Sequence, residues 1–354
     1  MEKKTVLVGM SGGVDSAAAA LLLQKDGYEV SGCTLRLHDR MEGGCGSSME
    51  AEDAKKAASA LGIPFYSPDE SEAFRACVMD DFVRTYCAGR TPNPCIECNR
   101  RVKFTALSLK ADELGIDCIA TGHYARVRYD EKLDRWQLLR GLDSGKDQSY
   151  VLYPLSQEIL SRLLLPLGDL EKSRVRCLAE GQGLENAHKP DSQDICFVPE
   201  GDYVEFLEEM GVTLSPGDFV DKDGKVLGRH RGQVCYTTGQ RRGLGVSADR
   251  PLYVISKNGH DNTVTLGDDK DLFTRIVWAE DFNWVSLPPA GSPIRVSAKT
   301  RYSQREAAAT LYPEENGAVR AVFDEGQRAV TPGQSLVCYL GEMVVGGGVI
   351  SRTE

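Results

Sequence analysis

Between Thr5 and Lys25 the sequence passes from a short apolar run through Gly12-Gly13 into an alanine- and leucine-rich segment, and this transition limits what the chain can be. Thr5 to Val8 is apolar and partly β-branched, the composition of a strand covered on both faces. Gly12 and Gly13 have no Cβ, so the backbone can turn tightly and bring its N–H groups against a ligand. Ser16 to Lys25 reads as helix. A strand that runs through such a turn into a helix N-terminus aims N–H groups at an anion, so Val6 to Ser16 reads as a phosphate cradle.

The cradle lacks the Gly-Lys-Ser/Thr of a Walker loop and is not Gly-x-Gly-x-x-Gly. Its Ser11-Gly12-Gly13-Val14-Asp15-Ser16 resembles the pyrophosphate loop of enzymes that cleave ATP between the α and β phosphates. The resemblance implies that the loop holds the departing pyrophosphate and that Asp15 holds Mg²⁺, an ion that prefers carboxylate and phosphate oxygens. The bland alternative is a tight strand-to-helix turn with no ligand.

Downstream, strands expected at Glu29 to Leu37, Ile63 to Tyr66 and Asp117 to Thr121 alternate with helices expected at Glu50 to Leu61, Glu72 to Ala88 and Val102 to Leu114. This is the pattern of a parallel sheet with helices on both faces, whose ligands bind beyond the carboxyl ends of the strands. Arg126 to Arg140 alternates and reads as a hairpin at the edge of that sheet. Ser156 to Leu165, Lys172 to Glu180 and Tyr203 to Met210 read as short helices. Beyond Gly211 the pattern turns to short strands, with Asp223-Gly224, Asn258-Gly259 and Asn316-Gly317 as hairpin signals. The expected class is α/β: an N-terminal Rossmann-like parallel-sheet pyrophosphate-loop domain over 1–211, a small mainly-β central domain over 212–273 and a C-terminal β-barrel over 274–354.

With 354 residues, 41% of them hydrophobic and 27% charged, the chain has globular composition and length for more than one domain. It has no apolar run of membrane-spanning length and no readable signal peptide, so a cytoplasmic protein is expected. A net charge of −10 argues against a generally basic nucleic-acid coat but leaves room for local basic faces. The 11 cysteines then read as thiols rather than a disulfide scaffold. Cys33, Cys118, Cys235 and Cys338 fall in apolar strand-like stretches, as small buried hydrophobes do.

Two other thiol segments stand out. In Pro92-Asn93-Pro94-Cys95-Ile96-Glu97-Cys98-Asn99-Arg100-Arg101, Cys98 is expected just before a helix and beside two arginines, a setting that lowers a thiol's pKa and makes a nucleophile. A lone Cys-x-x-Cys is also compatible with half a zinc site, a redox pair or two unrelated thiols. Cys196 lies in the segment Asp191 to Val198, within a proline- and glycine-bounded loop, His188 to Gly201.

Taken together, Gly9 to Ser16, Arg90 to Asn99, Thr121-Gly122-His123-Tyr124-Ala125, Lys146-Asp147-Gln148-Ser149-Tyr150, Ser192 to Phe197 and Gly239 to Gly245 resemble, in order, the motifs of the tRNA-specific 2-thiouridylase family. The resemblance covers nearly the whole chain. It implies ATP-dependent 2-thiolation of a tRNA wobble uridine, with adenylation of the uracil C2 oxygen, sulfur transfer from a cysteine persulfide and release of AMP. Cys196 then matches the persulfide carrier and Cys98 the nucleophile that frees the sulfur by forming a disulfide with Cys196, which is ordinary thiol exchange. Gly9, Met10, Ser11, Gly12, Gly13, Val14, Asp15, Ser16, Leu35 and Gly122 match positions on ATP. Asn93, Pro94 and Cys95 match the target-base segment, and His123, Lys146, Asp147, Gln148, Arg301, Tyr302 and Gln334 match tRNA contacts. The implied partners are tRNA and a persulfide-donating protein, a cysteine desulfurase or sulfur-relay protein.

Many members carry Asp where this chain has Cys95, which puts the acid or base role of that position in doubt. It also opens the alternative that Cys95, Cys98 and Cys196 jointly ligate an iron–sulfur cluster. Basic clusters at Arg229, His230, Arg231, Arg241 and Arg242, at Arg90, Arg100, Arg101 and Lys103, and at Lys299, Arg301 and Arg305 supply local phosphate attraction. Two rival classes remain: another adenylating synthetase or amidotransferase, which would not need Cys98 and Cys196, and a non-enzymatic, metal-stabilised RNA-binding protein.

Overall fold

The computed structural model describes residues 4–38, 47–182, 195–198 and 202–354. Its strands in the first part are β1 (Thr5–Gly9), β2 (Glu29–Cys33), β3 (Phe65–Tyr66), β4 (Cys118–Thr121), the hairpin β5 (Ala125–Asp130) and β6 (Arg135–Arg140), and β7 (Leu163–Leu164). A parallel sheet runs in the order β3-β2-β1-β4-β7, so β1 is central. Val6 and Val8 pack with Ala17 to Ala20 of the helix Val14–Lys25, whereas Leu7 packs with Phe104, Leu107 and Ala111 of the helix Phe104–Glu113 on the other face. Alternate side chains of one strand thus enter two different cores, which is why the run must be apolar throughout.

The central part has β8 (Gly217–Val220), β9 (Val226–His230), β10 (Tyr253–Asn258) and β11 (Thr263–Gly267) in one sheet, ordered β10-β11-β8-β9. The C-terminal part has β12 (Phe273–Asn283), β13 (Ile294–Lys299), β14 (Ala307–Pro313), β15 (Val319–Arg328), β16 (Ser335–Leu340) and β17 (Met343–Thr353). Because β12 pairs with both β15 and β17, these six strands close into a barrel around Val277, Val296, Leu311, Phe323 and Leu336. Asp223-Gly224, Asn258-Gly259 and Asn316-Gly317 each fall at the end of a hairpin or in its turn, as expected.

Three expectations are corrected. The hairpin β5–β6 does not extend the parallel sheet; β6 pairs with β17 through Leu139 and Met343, joining the barrel. The strand expected to run to Leu37 ends at Cys33, and Arg36 makes only an isolated bridge to Asp69. The helix expected from Val102 starts at Pro94, because Asn93 caps it by accepting from the Ile96 N–H at 3.4 Å and Pro94 supplies a first helical residue that needs no N–H partner. It runs through Pro94–Cys98 into a π-helical turn, Asn99–Lys103, and on into Phe104–Glu113.

Candidate active site

The strand β1 delivers the glycine turn to the carboxyl edge of the sheet, where β4 delivers Gly122 and His123. Gly12 adopts φ +72°, and a Cβ there would lie 2.7 Å from the Glu50 carbonyl oxygen, so the turn and its approach to the helix Ser48–Ala60 both require glycine. Gly13 differs: a Cβ on it would meet only Ser11 Oγ, at 3.5 Å, so this face of the turn is open. Gly13 is also the N-cap of the helix Val14–Lys25 and offers no capping side chain to the first-turn N–H groups. Ser16 Oγ accepts from the Ser11 N–H and donates to Gly13 O, both at 3.1 Å, which fixes the loop from inside.

Above the turn lies a cavity of about 610 Å³. Of the residues matched to ATP, Gly9, Met10, Ser11, Gly13, Val14, Asp15, Ser16, Leu35 and Gly122 line it, whereas Gly12 faces the helix Ser48–Ala60 instead. His123, Lys146, Gln148 and Tyr302, matched to tRNA, line the same cavity. Burial and the Lys103 ammonium push the His123 pKa from 6.5 down to about 3, so its ring is neutral, paired with Thr121 Oγ1 at 2.8 Å. Asp147 is turned inward: its carboxylate accepts from the backbone N–H groups of Gly141 and Ser149 and from Ser149 Oγ. Tyr302 reaches across from the barrel and donates to the Asp147 carbonyl at 3.2 Å. Arg301 is exposed beside it.

Asp15 does not present an open carboxylate. Lys172 Nζ donates to its two oxygens at 2.8 and 2.7 Å, and Tyr124 Oη donates to Oδ1 at 2.8 Å. The Lys172 ammonium takes both Asp15 oxygens in this arrangement, so an ion on Asp15 would have to displace it. Neither Lys172 nor Tyr124 was among the expected site residues. One signal was available: Lys172 is the first residue of the helix Lys172–Glu180, an end at which a cation is disfavoured unless it has an anionic partner.

The thiols are distributed between two surroundings. Cys98 is 5% exposed and belongs to an apolar cluster with Leu37, Phe74, Phe82 and Phe197, and Cys196 packs against the same cluster. Leu37 also lines the cavity above the glycine turn, and Leu35, another cavity residue, packs on the cluster, so one wall separates the cradle from both thiols. Ser192, Gln193 and Asp194 lie outside the described residues. Cys95 is exposed. None of the described cysteines is in a disulfide, Cys98 and Cys196 included. Among the described residues no group of three His, Cys, Asp or Glu side chains is arranged to hold a metal ion, so Cys95, Cys98 and Cys196 are not gathered into a cluster-binding set.

The two reasons for a thiolate at Cys98 are both revised. The helix N-terminus lies at Pro94, not after Cys98. Arg101 Nε donates to Glu97 Oε2 at 2.9 Å, while Arg100 lies 3.7 Å from Glu97 Oε1 and donates to Tyr153 Oη, so both arginines are engaged elsewhere. Gln334 is also committed inside the chain, its Nε2 donating to Thr91 O and Pro92 O. In the basic stretch of the central part, His230 is buried with Nδ1 accepting from the Gly232 N–H, whereas Arg241 and Arg242 are exposed. Cys33 and Cys338 are buried, and burial pushes the Cys33 thiol up to about 12, as expected of inert packing thiols.

Comparison with known proteins gives three family models along the chain: a tRNA methyl transferase HUP domain over residues 4–200, a tRNA methyl transferase PRC-barrel domain over 204–268 and an aminomethyltransferase beta-barrel domain over 274–350. A tRNA-specific 2-thiouridylase from Acetivibrio thermocellus is 48% identical, covering 99% of this chain and all of its own. One from Moorella thermoacetica is 48% identical over 97% of this chain and 98% of its own. Among solved structures, a 4-thiouridine synthetase in complex with RNA and ATP is 19% identical, with a TM-score of 0.38 over 58% of this chain and 50% of that one, a likeness too distant to carry chemistry. No helix among the described residues is long and apolar enough to cross a membrane.

Proposed function

This chain belongs to the tRNA-specific 2-thiouridylase family, and from that premise we propose that it thiolates C2 of a tRNA uridine at the wobble position, using ATP and a cysteine persulfide. The methyl-transfer wording of the domain descriptions is not followed, because the full-length relatives are named thiouridylases. A uracil carbonyl oxygen is a poor leaving group. Attack of that oxygen on the α phosphate of ATP makes it one, with pyrophosphate departing onto Gly12, Gly13 and the first turn of the helix Val14–Lys25.

The terminal sulfur of a persulfide on Cys196 then bonds to C2 and AMP leaves with the oxygen. Cys98 Sγ attacks Cys196 Sγ, breaking the persulfide S–S bond, and its proton passes to the base; the sulfur stays on the base, and the two cysteines are left as a disulfide. Two electrons have passed from the thiols to the transferred sulfur, so an external thiol must reduce the pair before the next turnover. No step uses a metal at Asp15. In this reading 1–211 carries out activation and sulfur transfer, 212–273 presents Arg241 and Arg242 to RNA phosphates, and 274–354 grips tRNA through Arg301 and Tyr302. Asn93, Pro94 and Cys95 receive a base that has left its stack. ATP, tRNA and a persulfide-donating protein are the substrates and partner.

The observation that carries the reading is the shared wall: Leu35 and Leu37 touch the cradle's cavity on one side and the cluster of Cys98 and Cys196 on the other. The test is mass spectrometry of tRNA nucleosides after incubation with ATP, Mg²⁺ and a persulfide source. The wild type is expected to yield 2-thiouridine and AMP, and both Cys98→Ser and Cys196→Ser to yield none. Full turnover by Cys196→Ser would favour an adenylating enzyme of another kind.

A further inference from the structure

One turn of the C-terminal barrel grips the chain on both sides of Cys98. Ahead of the helix, the Thr91 N–H donates to Pro332 O at 2.9 Å. Gln334 Nε2 donates to Thr91 O at 3.1 Å and to Pro92 O at 2.9 Å, across more than 240 residues of sequence. Gly333, at φ +93°, lies so near that a Cβ there would sit 2.7 Å from Thr91 O. Beyond Cys98, Arg100 Nη2 donates to Tyr153 Oη at 3.2 Å, and Tyr153 Oη pairs with Ser335 Oγ at 3.1 Å. Tyr150 Oη donates to Ser335 O at 2.8 Å. Tyr150, Tyr153 and Ser335 are buried, so these bonds stand in a medium where breaking one leaves a polar group unpaid by water.

We propose that Gln334 and Ser335 are positioning residues, by which the C-terminal barrel holds segment 91–100, and with it Cys98, in place beside the nucleotide cavity. This rests on the reading of Cys98 as a reacting thiol. The segment needs outside support for a physical reason. The helix that begins at Pro94 passes from α-helical turns into a π-helical turn at Asn99–Lys103, a rare geometry that interrupts the regular hydrogen-bond ladder just after Cys98. The resemblance gives Gln334 to tRNA, but in the structure both of its donor bonds go to the backbone ahead of the helix. The strut also meets the surface assigned to tRNA. The Tyr150 ring that anchors Ser335 lies edge-on to Tyr302, with centroids 5.8 Å apart, so the barrel's RNA-facing side and its hold on the thiol segment share a buried ring.

The test uses the full chain without tRNA. Hydrogen exchange of peptides covering 90–103 is compared in wild type, Gln334→Ala and Tyr153→Phe, alongside ATP affinity, tRNA affinity and thiolation kinetics. Losing these bonds is expected to speed exchange in the segment by about tenfold and to lower kcat by roughly 10- to 100-fold, with ATP and tRNA affinities unchanged. Tyr153→Phe removes only a hydroxyl, so it decides the matter at the 99–103 flank even if Gln334→Ala folds poorly. Unchanged exchange in both variants overturns the proposal. A loss of tRNA affinity with unchanged exchange also overturns it and returns Gln334 to the RNA footprint, and faster exchange with undiminished kcat overturns the positioning role. Failure of the underlying reading looks different: Cys98→Ser would keep full thiolation, whatever the exchange rates.

Discussion

The glycine-turn cradle and the thiol segment lie on two sides of one apolar wall, yet they are held in place by opposite means. The turn of the cradle is shaped by neighbours in sequence: β1, Gly12-Gly13, and the Ser11–Ser16–Gly13 hydrogen bonds within six residues. The thiol segment is held from a distance, by Gln334, Ser335, Tyr150 and Tyr153. A local site fails only when its own residues change. A borrowed one also fails when a remote turn moves, which allows the state of the barrel to be felt at Cys98.

The largest effect that would break this contrast is at a long-range tie of the cradle. Lys172 reaches Asp15 from far along the chain, and its side chain is 8% exposed. Lys172→Met leaves the Asp15 carboxylate with Tyr124 alone and is expected to cost about 3 kcal/mol of stability and most of the ATP affinity, measured by urea denaturation and calorimetry. If ATP affinity is retained, the cradle is as self-sufficient as its loop suggests, and Asp15 is open to a divalent ion once the ammonium is gone.

Next in size is a matched pair of glycine substitutions. Gly12→Ala and Gly333→Ala each force a positive φ on a residue with a Cβ, and each Cβ would come 2.7 Å from a backbone oxygen, so each is expected to cost about 2 kcal/mol. Equal strain should give unequal consequences. Gly12→Ala is expected to abolish ATP binding while exchange at 91–98 stays slow, and Gly333→Ala to speed that exchange while ATP still binds. The same phenotype from both would mean that the two regions form one cooperative unit.

How much of this could be read from the sequence follows the same division. The cradle was legible because its geometric demand is met by adjacent residues: two glycines, an apolar run before them and a helix former after them. The hairpin turns at Asp223-Gly224, Asn258-Gly259 and Asn316-Gly317 were legible for the same reason. The alternation of Arg126 to Arg140 announced two strands but not their partner, since the link from Leu139 to Met343 leaves no local trace. Cys98 read as standing just before a helix, whereas that helix already begins at Pro94, with Asn93 as its cap. The partnership of Lys172 with Asp15 spans 157 positions, and only the adverse charge at a helix start hinted at it.

A smaller effect sharpens the picture from the pH side. His123 is held neutral, its pKa lowered from 6.5 to about 3 by burial and Lys103. The unfolded chain therefore binds this proton where the folded chain does not, and stability is expected to be complete above pH 6.5 and to fall as the pH drops toward 3. His123→Gln, which cannot charge, should flatten that limb of a denaturation-midpoint profile. If the limb stays, the acid sensitivity comes from elsewhere in the fold.

The mildest change leaves both regions untouched and asks whether the RNA grip is separate from them. Arg241 and Arg242 are exposed in the central part, so reversing both charges is expected to shift stability by less than about 0.5 kcal/mol. Phosphate contacts release counterions, so losing two of them should weaken tRNA binding and flatten its dependence on salt by a slope of about two. ATP affinity and exchange at 91–98 should not move. If exchange does speed up in Arg241→Glu plus Arg242→Glu, the thiol segment is supported by the central part as well as by the barrel turn, and the contrast between a local cradle and a borrowed thiol site widens to a second source of support.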